Sequence, residues 1–240
     1  MAKAVIFDID GTLLNSVDLH AESWVRAFSH FGITADFQEV RRRIGEGADR
    51  LLPVFVPSSA SKTRRKEIEE YRSQLFRKEY LPRVQPFPMV RELFERIRED
   101  GRKVVLGSSC TEEEIADYKK IAGVSEIVDC ECTSDDAKSS KPAPDIFLQA
   151  VERVAPLRAQ DCIVIGDTRY DGEAARSAGI SFIGLLCGGS SERQLREAGA
   201  VAIYRDPAHL LSRYSTSPIC HEVPPAHGRR DSSVMSAAID

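Results

Sequence analysis

The stretch "VIFDIDGTLLNS" (residues 5–16) decides the fold, because a short apolar run stops there at two aspartates followed by Gly-Thr. Its first three residues predict a strand buried on both faces, as in parallel sheets that are covered by helices. Asp8 and Asp10 come at the carboxyl end of that strand, where open α/β sheets bind ligands, and Gly11 lets the backbone approach an anion closely. The alternative is that such aspartates serve only a turn or a helix N-cap.

The composition predicts a soluble globular protein. The chain has 240 residues, of which 42% are hydrophobic and 29% charged, and this suits one large domain or two modest ones. The net charge is -4, and the basic runs "RRR" at 41–43 and "RRK" at 64–66 are interpreted as solvated helix faces, so neither nucleic acid nor a membrane is expected as a partner. No signal peptide or membrane-spanning stretch is recognisable, and the expected location is cytoplasmic.

The six cysteines are expected to stay reduced, because nothing else in the sequence indicates a secreted disulfide scaffold. Cys130 and Cys132 share one strand face and are interpreted as structural, since a pair alone lacks the further ligands of a zinc site. Cys110 follows "SS" near the suspected site, where we expect a buried and inert thiol.

The second half of the chain has the rhythm of successive βα units. From about residue 103 onward, helical patterns separate the short apolar runs "KVVLGSS", "EIVDCEC", "CIVIGDT", "SFIGLLCGG" and "AVAIY". This alternation predicts an α/β fold whose core is a Rossmann-like, doubly wound parallel sheet with helices on both faces.

Residues 15–86 have a different texture. They predict helices near 17–31, 36–52 and 62–80 and no strand, so an all-helical cap domain is inserted after the first strand. The predicted core domain then comprises residues 1–14 and 87–214. Residues 215–240 are rich in Pro, Ser and charge and are expected to form a flexible C-terminal tail.

Polar side chains also follow the other predicted strands. Ser108 and Ser109 come after "VVLG", Asp167 after "CIVIG", and Lys141 precedes the helix start "PAPDIF". Taken singly, each has an alternative interpretation, the lysine as an ordinary surface residue and Asp167 as a helix cap. A capping box at 111–114 leaves Ser108 free for another task. Because the carboxyl ends of parallel strands meet at one edge of the sheet, a single site explains all of these positions together.

Four motifs in this order, "DIDGT", "LGSS", "KPAPD" and "GDTRYD", resemble those of the haloacid dehalogenase superfamily. The resemblance covers residues 4 to about 213 and is strongest to the phosphoglycolate phosphatase-like and beta-phosphoglucomutase-like branch with a helical cap. It implies an Mg²⁺-dependent phosphatase that hydrolyses a small-molecule phosphomonoester, phosphoglycolate-like or sugar-phosphate-like, through an aspartyl-phosphate.

The resemblance assigns a role to each motif. Asp8 is the nucleophile, and Asp10 is the acid that protonates the leaving oxygen and then the base that activates water. Lys141 supplies positive charge and is expected to hold Asp8 ionised. For the transferring oxygens, the implied contacts are the Ser108 hydroxyl and the backbone amides of Gly11 and Ser109. For Mg²⁺ they are the Asp8 carboxylate, the Asp10 backbone carbonyl and Asp167, and Asp171 either orients that shell or binds the metal through water.

The cap is expected to close over the site and to select the leaving group. Its predicted specificity loop is "RRRIGEGADRLLP", in which Gly45 and Gly47 let backbone amides face an anionic substrate. Arg43 and Arg50 are candidate contacts to the leaving group, although a solvated or structural role is the alternative for each. His20 is placed near the hinge, where a structural role is again the alternative.

Other activities fit the residues less well. Dehalogenases of the superfamily lack the second aspartate of the first motif, and the phosphonate-cleaving relatives need a cap lysine in a motif that is absent here. Sugar-phosphate mutases are closer, but they carry Ser-Arg and Glu-Asp pairs where this chain has Gly47-Ala48 and Gly166-Asp167. A receiver-like signalling module also gathers such residues, but it has about half this length and no insert. The oligomeric state, monomer or homodimer, is left open.

Overall fold

A computed structural model describes residues 1–221 of the chain. At its centre lies a six-stranded sheet in the order β3-β2-β1-β4-β5-β6, and every neighbouring pair of strands is parallel. The strands are β1 (Ala4–Phe7), β2 (Lys103–Gly107), β3 (Cys130–Cys132), β4 (Cys162–Gly166), β5 (Ser181–Leu185) and β6 (Ala200–Tyr204). The predicted α/β class is therefore confirmed.

Ten α-helices accompany the sheet within the described residues. Four of them lie between β1 and residue 86, and six lie after residue 86. They are α1 (Val17–His30), α2 (Phe37–Arg41), α3 (Ala48–Phe55), α4 (Lys62–Leu75), α5 (Val90–Glu99), α6 (Glu112–Ala122), α7 (Asp145–Arg153), α8 (Arg169–Ser177), α9 (Glu192–Glu197) and α10 (Pro207–Ser212).

The sheet is buried on both faces. Val5 and Phe7 of β1 belong to one hydrophobic cluster, whereas Ala4 and Ile6 belong to another, because successive side chains of a strand point to opposite sides. All four residues of β1 are fully buried. This accounts for the uninterrupted apolar run before Asp8.

The helices α1 to α4 contribute to a third hydrophobic cluster around Trp24, Phe28 and Ile68. The predicted helix over 36–52 is wrong, because α2 ends at Arg41 and α3 begins only at Ala48. Gly45 between them has φ +104°, a left-handed conformation that interrupts a right-handed helix. The predicted helix over 62–80 changes at residue 76 into a π-helix, Phe76–Tyr80.

The end of the described chain packs on the sheet domain. Ile219 is fully buried, and its carbonyl accepts a hydrogen bond of 3.2 Å from the Ala2 amide. The predicted start of the flexible tail at residue 215 is therefore too early, and residues 222–240 lie outside the described part. None of the helices in residues 1–221 has the length and apolar character needed to cross a membrane. The six cysteines, all within these residues, form no disulfide.

Candidate active site

The carboxyl edge of the sheet brings the predicted core residues together. Asp8 follows β1, Ser108 follows β2, and Asp167 follows β4, and these three strands are neighbours in the sheet. Lys141 and Asp171 come from loop and helix positions next to them. All five side chains are buried, and each except Asp8 is 1% exposed.

Lys141 is the positive centre of this cluster. Its Nζ lies 2.5 Å from Asp8 Oδ1 and 2.8 Å from Asp171 Oδ1, and it donates to the Gly107 carbonyl at 3.0 Å. Burial alone would lower the pKa of the ammonium, but Asp171 and Asp8 outweigh it and hold that pKa above its ordinary value. Lys141 is therefore a fixed cation at the edge of the sheet.

The carboxylates outnumber that cation. Asp8, Asp167 and Asp171 can each offer one oxygen within 4.8 Å of the others. Burial raises the pKa of Asp8 to about 7, and the charge and hydrogen bond of Lys141 oppose that rise. Burial also raises the pKa of Asp167 well above its ordinary value, and the charge on Asp171 adds to this.

This excess of buried negative charge suits a divalent cation. Carboxylate oxygens are the ligands that hard cations such as Mg²⁺ and Ca²⁺ prefer, and a bound cation would stabilise the ionised forms of Asp8 and Asp167. The carboxylates of Asp8, Asp167 and Asp171 therefore fit a metal ion as a set of ligands. Asp171 also forms an ion pair with Lys141.

Local structure fixes the two acids that follow β4. The Thr168 side chain accepts from the Asp171 amide, and Asp171 Oδ2 accepts from the Thr168 amide and hydroxyl, which forms a capping box at the start of α8. Thr168 is thus the N-cap, and the alternative that Asp167 caps this helix is wrong. Asp167 is held instead by the Thr12 hydroxyl, which donates to its Oδ1 at 2.9 Å.

Two glycines leave room for Asp167. A Cβ atom on Gly11, which has φ +82°, would lie 2.5 Å from Asp167 Oδ2, and a Cβ on Gly188 would lie 1.7 Å from the same oxygen. The Gly11 amide donates to the Leu14 carbonyl at 2.8 Å. The resemblance implied that this amide holds a transferring oxygen, but in this conformation it is already engaged and not available for that role.

Asp10 lies apart from the carboxylate cluster, in a hydrogen-bond network with the cap. Its Oδ1 accepts from the Ser16 hydroxyl at 2.6 Å and lies 2.8 Å from His20 Nε2. The Arg72 guanidinium contacts His20 Nδ1, and because arginine only donates, His20 carries its proton on Nε2 and donates it to Asp10. Burial would raise the pKa of Asp10, but His20, Ser16 and Arg72 outweigh it and lower that pKa.

A cavity of about 340 Å³ joins this network to the core site. Asp8, Ser108 and Ser109 line its base, whereas His20, Gly45 and Gly47 line it from the cap. The two glycines bring the cap loop onto the core, because a Cβ on Gly45 would meet Thr168 at 2.9 Å and one on Gly47 would meet Ser140 at 1.9 Å. The loop backbone thus packs directly against these two core side chains.

The two predicted cap arginines are not among the residues that line this cavity. Arg43 pairs with Glu46 at 3.2 Å and lines a different cleft beside Thr168. Arg50 is exposed on α3. In the described part of the chain, the arginine of the cavity is Arg72, which stacks over Trp24 and Phe76.

Sequence reasoning missed Thr12, Ser16, Arg72 and Gly188. Thr12 stands inside the "DIDGT" motif, so its place in the motif was a usable signal. Ser16 and His20 are four apart at the start of α1, a spacing that puts both on one helix face. No sequence signal distinguishes Arg72 from the other arginines of α4, nor Gly188 from Gly189.

Comparisons with known proteins agree with this geometry. A profile of the family described as haloacid dehalogenase-like hydrolase matches residues 5–185. The chain is 28% identical over 215 residues to a phosphorylated carbohydrates phosphatase of Thermotoga maritima, covering 88% of this chain and 97% of that protein. It is 27% identical over 182 residues to a phosphoglycolate phosphatase of Aquifex aeolicus, covering 74% of this chain and 81% of that protein.

A solved structure is similar to this chain over most of its length. A hydrolase from Pseudomonas syringae superposes with a TM-score of 0.79 at 27% identity, over 89% of this chain and 98% of that one. The family profile spans more than half of the chain and includes β1, β2 and β4, whose ends carry the buried carboxylates and Ser108. The chain therefore belongs to the haloacid dehalogenase-like hydrolases.

Proposed function

We propose that this hydrolase is an Mg²⁺-dependent phosphatase that releases inorganic phosphate from small-molecule phosphomonoesters. The observation that carries the proposal is the buried cluster of Asp8, Asp167 and Asp171 with Lys141, in which Asp8 lines a cavity of about 340 Å³. Relatives named as phosphatases support the same reaction class. When bound, Mg²⁺ would supply the positive charge that lets an anionic carboxylate approach an anionic phosphate.

Asp8 is the nucleophile of the proposed reaction. Its carboxylate oxygen attacks phosphorus while the bond from phosphorus to the leaving oxygen breaks, giving an aspartyl-phosphate and an alcohol. Lys141, 2.5 Å from Asp8, neutralises charge on the reacting oxygens, and the Ser108 hydroxyl beside it offers them a hydrogen bond. Water then attacks the same phosphorus, which restores Asp8 and releases phosphate.

Asp10 transfers a proton in both steps, as an acid in the first and as a base in the second. Hydrogen bonds from His20 and Ser16 favour its ionised form, which suits the second step, where it accepts a proton from the attacking water. For the first step Asp10 must arrive protonated, so that it can protonate the leaving oxygen. Arg72 acts through His20, by fixing the tautomer that donates to Asp10.

The test is phosphate release from a panel of phosphomonoesters with Mg²⁺, run beside Asp8→Asn. The parent protein is expected to turn over at least one ester catalytically, and Asp8→Asn to lose nearly all of that turnover with an unchanged melting temperature. Activity of Asp8→Asn within tenfold of the parent would contradict the nucleophile assignment. Stoichiometric phosphorylation without release would instead favour the receiver-like alternative. Conversion of a sugar phosphate to its isomer without phosphate release would favour the mutase.

A further inference from the structure

The charged residues of the cavity wall bear on which leaving alcohol the site can accept. Besides the core residues, four carboxylates line the wall. Glu46 is paired with Arg43 at 3.2 Å, and the other three are those of Asp49, Glu69 and Glu114. Asp49 and Glu69 belong to the cap helices α3 and α4, and Glu114 belongs to α6 of the core. The acids therefore face the cavity from both domains.

These carboxylates act on one another. Partial burial raises the pKa of Glu69, and the charges of Asp49 and Glu114 add to the rise while Arg72 opposes it. The three acids are thus close enough to repel, and Arg72 compensates for only part of their charge. A leaving group that carries its own carboxylate or phosphate would add a further negative charge to this wall.

The cations of the wall are Arg72 and Lys138. Arg72 already donates to Ser23 at 3.1 Å and to His20, and its guanidinium stacks over two aromatic rings, so it is held in place by the cap. Its fixed positive charge disfavours an ammonium group on the leaving group. The wall therefore offers acceptors and donors side by side, which suits hydroxyl groups because they both donate and accept.

A second feature of the wall points to a polar ligand. Tyr118 lines the cavity from α6 and is 1% exposed, and its hydroxyl has no hydrogen-bond partner among residues 1–221. A buried polar group without a partner costs stability, so such groups are normally satisfied. A substrate hydroxyl, or a water that it holds, would supply what the Tyr118 hydroxyl lacks.

We infer that the substrate is the phosphate monoester of an uncharged polyhydroxy alcohol, and that Asp49, Glu69 and Glu114 exclude leaving groups bearing a carboxylate or a second phosphate. This inference rests on the proposed phosphatase activity and narrows it. It decides between the two substrate types that the sequence left open, against phosphoglycolate and in favour of polyol and sugar phosphates.

The test compares three esters with the full-length protein and Mg²⁺. Glycerol 1-phosphate has a neutral diol as its leaving group, phosphoglycolate has a leaving group with a carboxylate, and p-nitrophenyl phosphate serves as a reference that needs no hydroxyl contact. We expect kcat/KM for glycerol 1-phosphate to exceed that for phosphoglycolate by at least tenfold. Equal values of kcat/KM, or a preference for phosphoglycolate, would overturn the inference.

Charge variants of the wall show whether these acids cause the preference. Asp49→Asn combined with Glu69→Gln removes two exposed carboxylates from the cap. It should raise kcat/KM for phosphoglycolate and so lower the ratio of kcat/KM for glycerol 1-phosphate to that for phosphoglycolate at least threefold. Glu70→Gln is the matched control, because Glu70 is the next residue of α4, pairs with Lys66 at 3.5 Å and does not line the cavity. An unchanged ratio in the double variant would overturn the inference.

Tyr118→Phe tests the hydroxyl by itself. It should lower kcat/KM for glycerol 1-phosphate about fivefold, leave p-nitrophenyl phosphate unchanged and leave the melting temperature the same or higher, because the hydroxyl has no partner to lose. Tyr214→Phe, at an equally buried tyrosine outside the cavity, should leave both esters unchanged. An equal loss on both esters in Tyr118→Phe would overturn the assigned contact. No phosphate release from any ester would refute the proposed function itself.

Discussion

Gly188→Ala provides a direct test of the site geometry, because it adds a single methyl group beside Asp167. The new Cβ would lie 1.7 Å from Asp167 Oδ2 and 2.3 Å from its Cγ, whereas real Cβ contacts stay above 3.0 Å. The carboxylate must therefore retreat by more than about 1 Å, away from the bond of 2.9 Å that it accepts from Thr12. A displacement of about 1 Å at a reacting centre typically costs ~10²-fold in rate.

The assay is kcat/KM for p-nitrophenyl phosphate over an Mg²⁺ titration, together with urea unfolding. We expect a loss of about 10²-fold and a weaker apparent affinity for Mg²⁺. Gly184→Ala is the matched control, because its Cβ would crowd Leu195 at 2.9 Å, away from the site. That control should lose about 1–3 kcal/mol of unfolding free energy and keep its turnover. Turnover of Gly188→Ala within threefold of the parent at every Mg²⁺ concentration would refute the placement of Asp167.

Three further predictions concern the charged groups. Lys141→Met leaves buried carboxylates without their cation, so it should lower the free energy of unfolding by about 3–5 kcal/mol in urea without Mg²⁺, and added Mg²⁺ should restore part of the loss. Arg72→Met should slow the hydrolysis of alkyl phosphates about tenfold, which corresponds to the loss of one charge-assisted hydrogen bond. Arg50→Ala, at an exposed site, should leave the steady-state rates of the same esters unchanged. Asp10→Asn should slow alkyl phosphates ~10²–10⁴-fold and aryl phosphates much less, since aryl leaving groups need no proton, and equal losses would limit Asp10 to shaping the loop.

The core site was predictable because its parts are tied to strand ends. A short apolar run predicts each buried strand, and the residue that follows the strand must lie at the carboxyl edge of the parallel sheet. Asp8, Ser108 and Asp167 follow from this rule, and the structure brings them to one place. The capping box at Thr111 and Glu114 was likewise predicted from a local pattern and is present.

The cap was harder to predict because helical periodicity does not say which helix faces which. Arg43 and Arg50 were chosen for their place in the loop, yet Arg72, some twenty residues later, lines the cavity. The helix α3 does face the cavity, through Asp49 and Leu51, but Arg50 lies on its solvent-exposed side. A one-residue change in helix register turns a side chain by about 100°, so small errors in the cap move its contacts from the cavity to the surface.

The sequence by itself therefore determined the parallel sheet, the helical insert and the identity of the buried acids, since these depend on local patterns of burial and on strand ends. Only the tertiary structure decided which groups form ion pairs and which are joined by hydrogen bonds. The pairing of Lys141 with both Asp8 and Asp171, and the contact of Asp10 with His20 and Arg72, join residues far apart in the chain. The physical reason is that electrostatic interactions depend on distances of a few ångströms and on burial, and both arise only when the cap and the sheet have packed together.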